Sequence, residues 1–135
     1  MSDNQMLGKW SYRSFLRNPD LSIEFNDLRF GAGTLELGLD SSGDLAGVLG
    51  GPGWSLTLFG TYSFVSPNQA RFQGKGMIGD EEWIYDYHGF LTPKWPNGVD
   101  ERPSIVGTIV RTIPHSQGQA AAGLVASWIA VKQDQ

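Results

Sequence analysis

Residues 80–115 read DEEWIYDYHGFLTPKWPNGVDERPSIVGTIVRTIPH, and the fold class turns on how this stretch is read. Glu82–Leu91 and Pro103–Ile113 are dense in aromatic and β-branched side chains, the types that suit a pleated, half-buried surface. Thr92–Arg102 between them, TPKWPNGVDER, carries Pro, Asn and Gly, which end strands and form turns. Two strands joined by a long hairpin loop follow. Both His, two of the five Trp and two of the four Tyr of the chain fall in this one segment.

Working outward, the same grammar repeats. Toward the N-terminus, Gln69–Ile78 alternates Gln69, Arg71, Gln73 and Lys75 with Ala70, Phe72, Gly74 and Gly76, the signature of a strand with one wet face. Trp54–Tyr62 places Trp54, Leu56, Leu58, Gly60 and Tyr62 on one side. Leu45–Leu49 and Thr34–Leu39 flank the turn Asp40–Asp44, and Gly31-Ala32-Gly33 reads as the loop that leads into them. Leu21–Phe30 fits a short helix or an irregular crossing segment. The first strand, Leu7–Leu16, puts Trp10, Tyr12, Ser14 and Leu16 on one face. Toward the C-terminus, Pro114–Ala121 reads as a mobile small-residue loop and Ala122–Lys132 as the last strand. The spacing predicts about eight strands in a single all-β domain over residues 1–135, simplest as an antiparallel up-and-down barrel, since closure removes unpaired edges.

Composition narrows the function classes. At 135 residues with 40% hydrophobic and 18% charged residues, the chain can bury a proper core. A net charge of −4 with no run of Lys or Arg argues against nucleic acid as a partner. With no Cys there is no thiol chemistry or Cys-type zinc site, and a reducing, cytoplasmic location is expected. The first ten residues show no secretion-signal pattern, and no apolar run approaches the roughly 20 residues of a membrane-spanning helix, so no membrane association is expected. No motif points to a cofactor or a metal: Gly31-Ala32-Gly33 and Gly50-Gly51-Pro52-Gly53 are not followed by the helix start that a phosphate-cradling loop needs.

Gly8-Lys9-Trp10, at the start of the first strand, resembles the Gly-x-Trp opening of the calycins, the lipocalins, fatty-acid-binding proteins and avidin-like barrels. The resemblance covers that tripeptide together with strand number and chain length. It implies an eight-stranded barrel whose lumen holds a small molecule, with Trp10 plugging a closed base and Arg17–Gly33 as a flap over an open mouth.

In such a meander alternate loops share an end. Arg17–Gly33, Gly50–Gly53, Gly79–Glu81 and Pro114–Ala121 fall at the mouth, and Asp40–Asp44, Ser63–Asn68 and Thr92–Arg102 at the base. His88 then lies toward the base and His115 at the mouth, too far apart for a shared metal or acid/base site at about 3.3 Å per strand residue. His115 is placed to gate or touch a ligand. Asp86 and His88 share one face two residues apart. They read either as a carboxylate orienting a catalytic imidazole or as a solvent-facing pair beside Arg71, Gln73 and Lys75. The small residues Gly74 and Gly76 on the neighbouring strand favour the second, because they leave room for inward Trp83, Tyr85 and Tyr87. Arg111 shares a face with Ile105, Gly107 and Ile109. It is either an inward cation that anchors a ligand anion, with Trp83 opposite it for cation–π stacking, or an outward, structural one. Trp95, between two prolines, reads as a cap over the base or as a partner-binding tip.

Three functions fit these residues. The first is binding of a small apolar or aromatic, possibly anionic, molecule by Tyr12, Trp54, Tyr85, Tyr87, Arg111 and Trp128. The second is a cofactor-independent isomerase, cyclase or lyase on the same barrel, with a lumen Tyr or Asp86–His88 as acid/base. The third is a packed barrel acting as a homodimer or protein-interaction module.

Overall fold

The structure is a computed structural model and describes residues 5–63 and 68–133. Eight strands follow one another around a closed antiparallel barrel: β1 Gly8–Leu16, β2 Arg29–Leu39, β3 Leu45–Gly51, β4 Trp54–Ser63, β5 Gln69–Ile78, β6 Glu81–Leu91, β7 Ser104–Arg111 and β8 Val125–Lys132. The barrel closes where β1 meets β8, from Trp10 opposite Lys132 to Leu16 opposite Ala126. A single 3₁₀ turn, Phe25–Leu28, sits in the connection between β1 and β2. The eight-stranded up-and-down barrel read from the sequence is the fold, and it is consistent with a calycin-like architecture.

The period-2 patterns become the two faces of the wall. Trp10, Tyr12 and Ser14 of β1, Leu35 and Leu37 of β2, Leu56 and Leu58 of β4, and Tyr85 and Tyr87 of β6 all point inward and are buried. Lys9, Arg13, Glu36, Thr57, Arg71, Gln73 and Asp86 alternate with them on the outside. The base end is closed. Trp10 is fully buried, its indole N–H donates to the Met6 carbonyl at 3.0 Å, and the Lys132 ammonium lies 4.9 Å above its ring. Higher in the lumen Trp128 packs against Tyr12, Phe72 and Tyr87 at centroid distances of 5.7, 6.1 and 6.1 Å. That indole fits because Gly89 faces it: a Cβ on Gly89 would come within 2.5 Å of the Trp128 ring.

Of the boundaries that differ from the sequence reading, three bear on the packing of the wall. β2 begins at Arg29, so Gly31-Ala32-Gly33 is strand rather than loop. A Cβ on Gly33 would stand 2.5 Å from the Gly50 carbonyl oxygen, so glycine here answers a close approach of β2 to β3, not a turn. β8 begins at Val125, because Gly123 takes a left-handed φ of 89° and belongs to the loop. β7 begins at Ser104, after Pro103, whose carbonyl accepts from the Lys132 N–H of β8 but which has no N–H to give in return, and the ladder with β6 opens with the Thr92 N–H donating to the Ser104 carbonyl. The register with β6 also differs, by two residues, with Leu91 opposite Ile105. Tyr85, not Trp83, stands opposite Arg111.

The Thr92–Arg102 loop does not cap the base with its tryptophan. Trp95 is 77% exposed, and the loop is held instead through its backbone, the Trp95 N–H donating to the Glu101 carboxylate at 3.0 Å. The Ser63–Asn68 connection, assigned to the base end, lies for residues 64–67 outside the described residues. Among the described residues no helix is long and apolar enough to cross a membrane.

Candidate functional site

The mouth half of the lumen holds a cavity of about 420 Å³, small but within the range of ligand sites. Its lower wall is Tyr12, Ser14 and Tyr87, its sides are aliphatic, and its rim is Phe30, Trp54, Trp83, Tyr85, Arg111 and His115. Trp54 reaches over the opening because the glycines beneath it spare the room. A Cβ on Gly51 would fall 2.8 Å from the indole nitrogen.

Tyr85 and Arg111 face each other across the β6–β7 ladder, both pointing in. The Arg111 Nε–H donates to the Tyr85 hydroxyl at 3.1 Å, and Nη1–H donates to the Ala121 carbonyl at 3.2 Å. The guanidinium carbon lies 5.4 Å from the Phe30 centroid and 5.8 Å from that of Tyr85, distances that allow cation–π attraction. Only 8% of Arg111 is exposed. Among the described residues the ion pairs are Lys9–Glu36 and Lys75–Glu82, both on the outer surface, and none neutralises Arg111. Of the five N–H groups of a guanidinium, these two bonds use two, which leaves three N–H without a protein acceptor among the described residues.

His115 comes into this site by a local fold in the chain after β7. Thr112 returns to β6 with its N–H and its hydroxyl both donating to the Ile84 carbonyl, at 3.0 and 2.8 Å. His115 and Ala120 then exchange two backbone hydrogen bonds of 3.0 Å and close a small hairpin. Its turn is strained, with Ser116 and Gln117 in the left-handed region at φ 57° and 58°. Glu81 offsets that cost, its carboxylate accepting both of their N–H groups at 2.7 and 3.0 Å. The segment expected to be a mobile loop is thus tied to the start of β6. It lays the imidazole flat on Trp83, with ring centroids 3.7 Å apart and 6° between planes, and brings Nε2 to 2.8 Å from the Tyr85 hydroxyl.

Arginine only donates, so the Tyr85 oxygen accepts from Nε. In the His115 tautomer protonated at Nδ1, the phenol donates its proton to Nε2 and the Nδ1–H faces the Ser116 hydroxyl at 2.9 Å. Burial, and secondarily the Arg111 charge, lower the His115 pKa below its ordinary value near 6.5, with Glu81 pulling weakly the other way. The imidazole is neutral at pH 7. Burial raises the Tyr85 pKa against the hydrogen bond and charge of Arg111. Tyr12 and Tyr87, deeper in the lumen, are pushed further up by burial and stay phenols.

Of the residues named from sequence as ligand contacts, Tyr12, Trp54, Tyr85, Tyr87 and Arg111 line the cavity. Trp128 does not. It lies beneath as part of the packed core, its indole N–H donating to the Thr108 carbonyl at 2.9 Å. Asp86 and His88 face outward and do not bond each other: Asp86 accepts from Gln73 at 3.2 Å and His88 meets Gln69 at 2.8 Å. Burial and Arg71 lower the His88 pKa. Among the described residues no group of three or more His, Cys, Asp or Glu is arranged to hold a metal ion. Phe30 and Ser14 were not among the sequence candidates, although Ser14 shares the inward alternation of Trp10 and Tyr12. Trp83 was placed inward, yet its partner is His115 rather than Arg111.

No protein-family model, no curated protein and no solved structure matches this chain.

Proposed function

We propose that the barrel binds a small molecule in the mouth half of its lumen, and that the molecule has a flat apolar or aromatic body and an anionic end. The observation that carries this reading is Arg111, a cation buried against the cavity with no carboxylate partner among the described residues and three N–H groups to spare. Removing a charge from water costs several kcal/mol, and two neutral acceptors with two ring faces compensate only in part. An anion in the cavity completes the compensation. The aromatic rim of Phe30, Trp54 and Trp83 suits a planar body. The calycin-like architecture supports the same reading, since calycins hold small molecules at this end of the barrel. The lack of cysteine is in keeping with a cytoplasmic setting for that binding.

Native mass spectrometry of the protein as purified from cells tests this, with Arg111→Met as the comparison. The expected result is a co-purifying small molecule on the wild type that is absent from the variant. Equal occupancy in both would mean that Arg111 is structural, and the anionic end would have to be abandoned.

A further inference from the structure

We propose that this lumen also catalyses proton transfer on an enolisable carboxylate of the 2-oxo acid class, with Tyr85 as the group that touches the reacting carbon, His115 as the base behind it and Arg111 as the holder of the enolate. The proposal rests on the binding reading above and adds chemistry to it. A site that only binds an anion has use for Arg111. It has no use for a phenol held at 2.8 Å from a buried, neutral imidazole.

The geometry is that of a proton wire. Ser116, His115, Tyr85 and Arg111 form one unbroken series, with separations of 2.9, 2.8 and 3.1 Å. Its inner end lines the cavity, and its outer end, Ser116, is exposed to solvent. The imidazole is fixed on both sides, by stacking on Trp83 and by the hairpin that Glu81 ties down. The Tyr85 oxygen can take a proton as its own passes to Nε2, so a base of imidazole strength acts at the position of the phenol. The low pKa of His115 keeps that base unprotonated at neutral pH.

The substrate class follows from the acceptors that the wire and the cation require. A 2-oxo acid places its carboxylate and its keto oxygen side by side, and the three remaining N–H groups of Arg111 suit such a pair. In the reaction the C–H bond adjacent to the keto group breaks, and its electron pair becomes the C=C bond of the enolate. The proton goes to the Tyr85 oxygen while the Tyr85 proton moves to His115 Nε2. The enolate oxygen carries the new negative charge beside Arg111, where a fixed cation in a water-poor cavity stabilises it. Return of a proton along the wire to oxygen gives the enol, and return to carbon gives back the keto acid. Nothing is oxidised or reduced, and the net change is a proton moved within the substrate. Once the enol has left, the Tyr85 hydroxyl, which lines the cavity, exchanges its proton with solvent, so a proton returned to carbon in the reverse reaction comes from solvent.

The test uses phenylpyruvate in deuterated buffer with the full chain, following two readouts on the same samples. Quenching of tryptophan fluorescence, sensitive to Trp54 and Trp83, reports binding, and proton NMR reports deuterium entering at the carbon next to the keto group. Wild type is expected to show saturable quenching and to accelerate exchange above buffer. Tyr85→Phe is expected to bind within about threefold of wild type while losing about 100-fold of the exchange rate, the scale on which a positioned acid/base group contributes. Should Tyr85→Phe fail to fold, His115→Gln keeps an acceptor near the phenol but no base, and the same loss is expected. Saturable binding without accelerated exchange overturns proton transfer and leaves the binding reading standing. Absence of saturable binding overturns both. Exchange that survives in both variants removes Tyr85 and His115 from the chemistry and refutes the proposal.

Discussion

The contact between Tyr85 and His115 is the joint on which the mouth of this barrel depends, and a double-mutant cycle measures it. Tyr85→Phe removes one oxygen and leaves the Arg111 Nε–H and the His115 Nε2 without their partner. Each buried polar group left unpaired costs about 1–3 kcal/mol. Relief of burying the phenol hydroxyl returns about 1–3 kcal/mol. The expected net loss is about 1–3 kcal/mol. His115→Ala forfeits the same hydrogen bond together with the 3.7 Å stack on Trp83, and aromatic pairs contribute about 0.5–1.5 kcal/mol beyond burial. The double variant cannot lose the shared hydrogen bond twice. It is therefore expected to be less destabilised than the sum of the singles by about 1 kcal/mol. Urea unfolding at pH 7.5, where His115 is neutral in either state, is the assay. With a slope of about 1–3 kcal/mol per molar urea, this coupling is a departure from additivity of about 0.5 M in midpoint. Tyr12→Phe combined with His115→Ala is the control, because Tyr12 packs on Tyr87 and Trp128 rather than on His115. Additivity of Tyr85 and His115 within about 0.3 kcal/mol would refute the network and every step built on it.

Both histidines are more acidic folded than their ordinary value near 6.5, His115 through burial and Arg111 against Glu81 and beside the Tyr85 phenol, His88 through burial and Arg71. The unfolded chain therefore binds more protons as the pH falls below about 6.5, and stability present above that value is lost as the pH drops through the lower folded values. Urea midpoints between pH 7.5 and 5.5 should fall, and fall less in His115→Ala; a flat profile in the wild type would contradict this. The glycines divide sharply: a Cβ on Gly107 would land on the His88 carbonyl and on Gly89, whereas a Cβ on Gly38 meets nothing nearer than the Ala46 carbonyl at 3.8 Å. Gly107→Ala is expected to cost about 3 kcal/mol, the upper end of overpacking, while Gly38→Ala is neutral or stabilises by up to about 1 kcal/mol. Thermal unfolding that ranks them the other way would refute the register between β6 and β7.

Size matching favoured one inward face for β6 from sequence without settling it. The closed barrel decided it: Gly74 sits opposite Tyr85, and a Cβ there would come within 3.1 Å of Tyr87, so the aromatics lie on the glycine's side of the wall. The orientation of Arg111 was open from sequence, since Ile105 and Ile109 on one side and Val106 and Val110 on the other are equally apolar. Only closure of the wall decided it, by placing Ile105 and Ile109 against Ala130 and Ala126 inside and leaving Val106 40% exposed. The identity of its partner was misplaced because the hairpin is not centred on the Thr92–Arg102 loop: Leu91 pairs with Ile105, two residues beyond the pairing that centring implies.

What the chain by itself determined is therefore the wall: alternation of period two, turns of Gly, Pro, Asn and Asp, and enough strands to close on one another. These are properties of neighbours in sequence, and neighbours in sequence can be read. What only the tertiary structure decided is the site. Tyr85 and His115 are 30 residues apart, and they meet because the segment after β7 folds back through two left-handed residues that Glu81, from another strand, holds in place. A strained turn stabilised from a distance leaves no periodic trace in the sequence. Its cost and its compensation lie on different parts of the chain, and only the closed barrel brings them together.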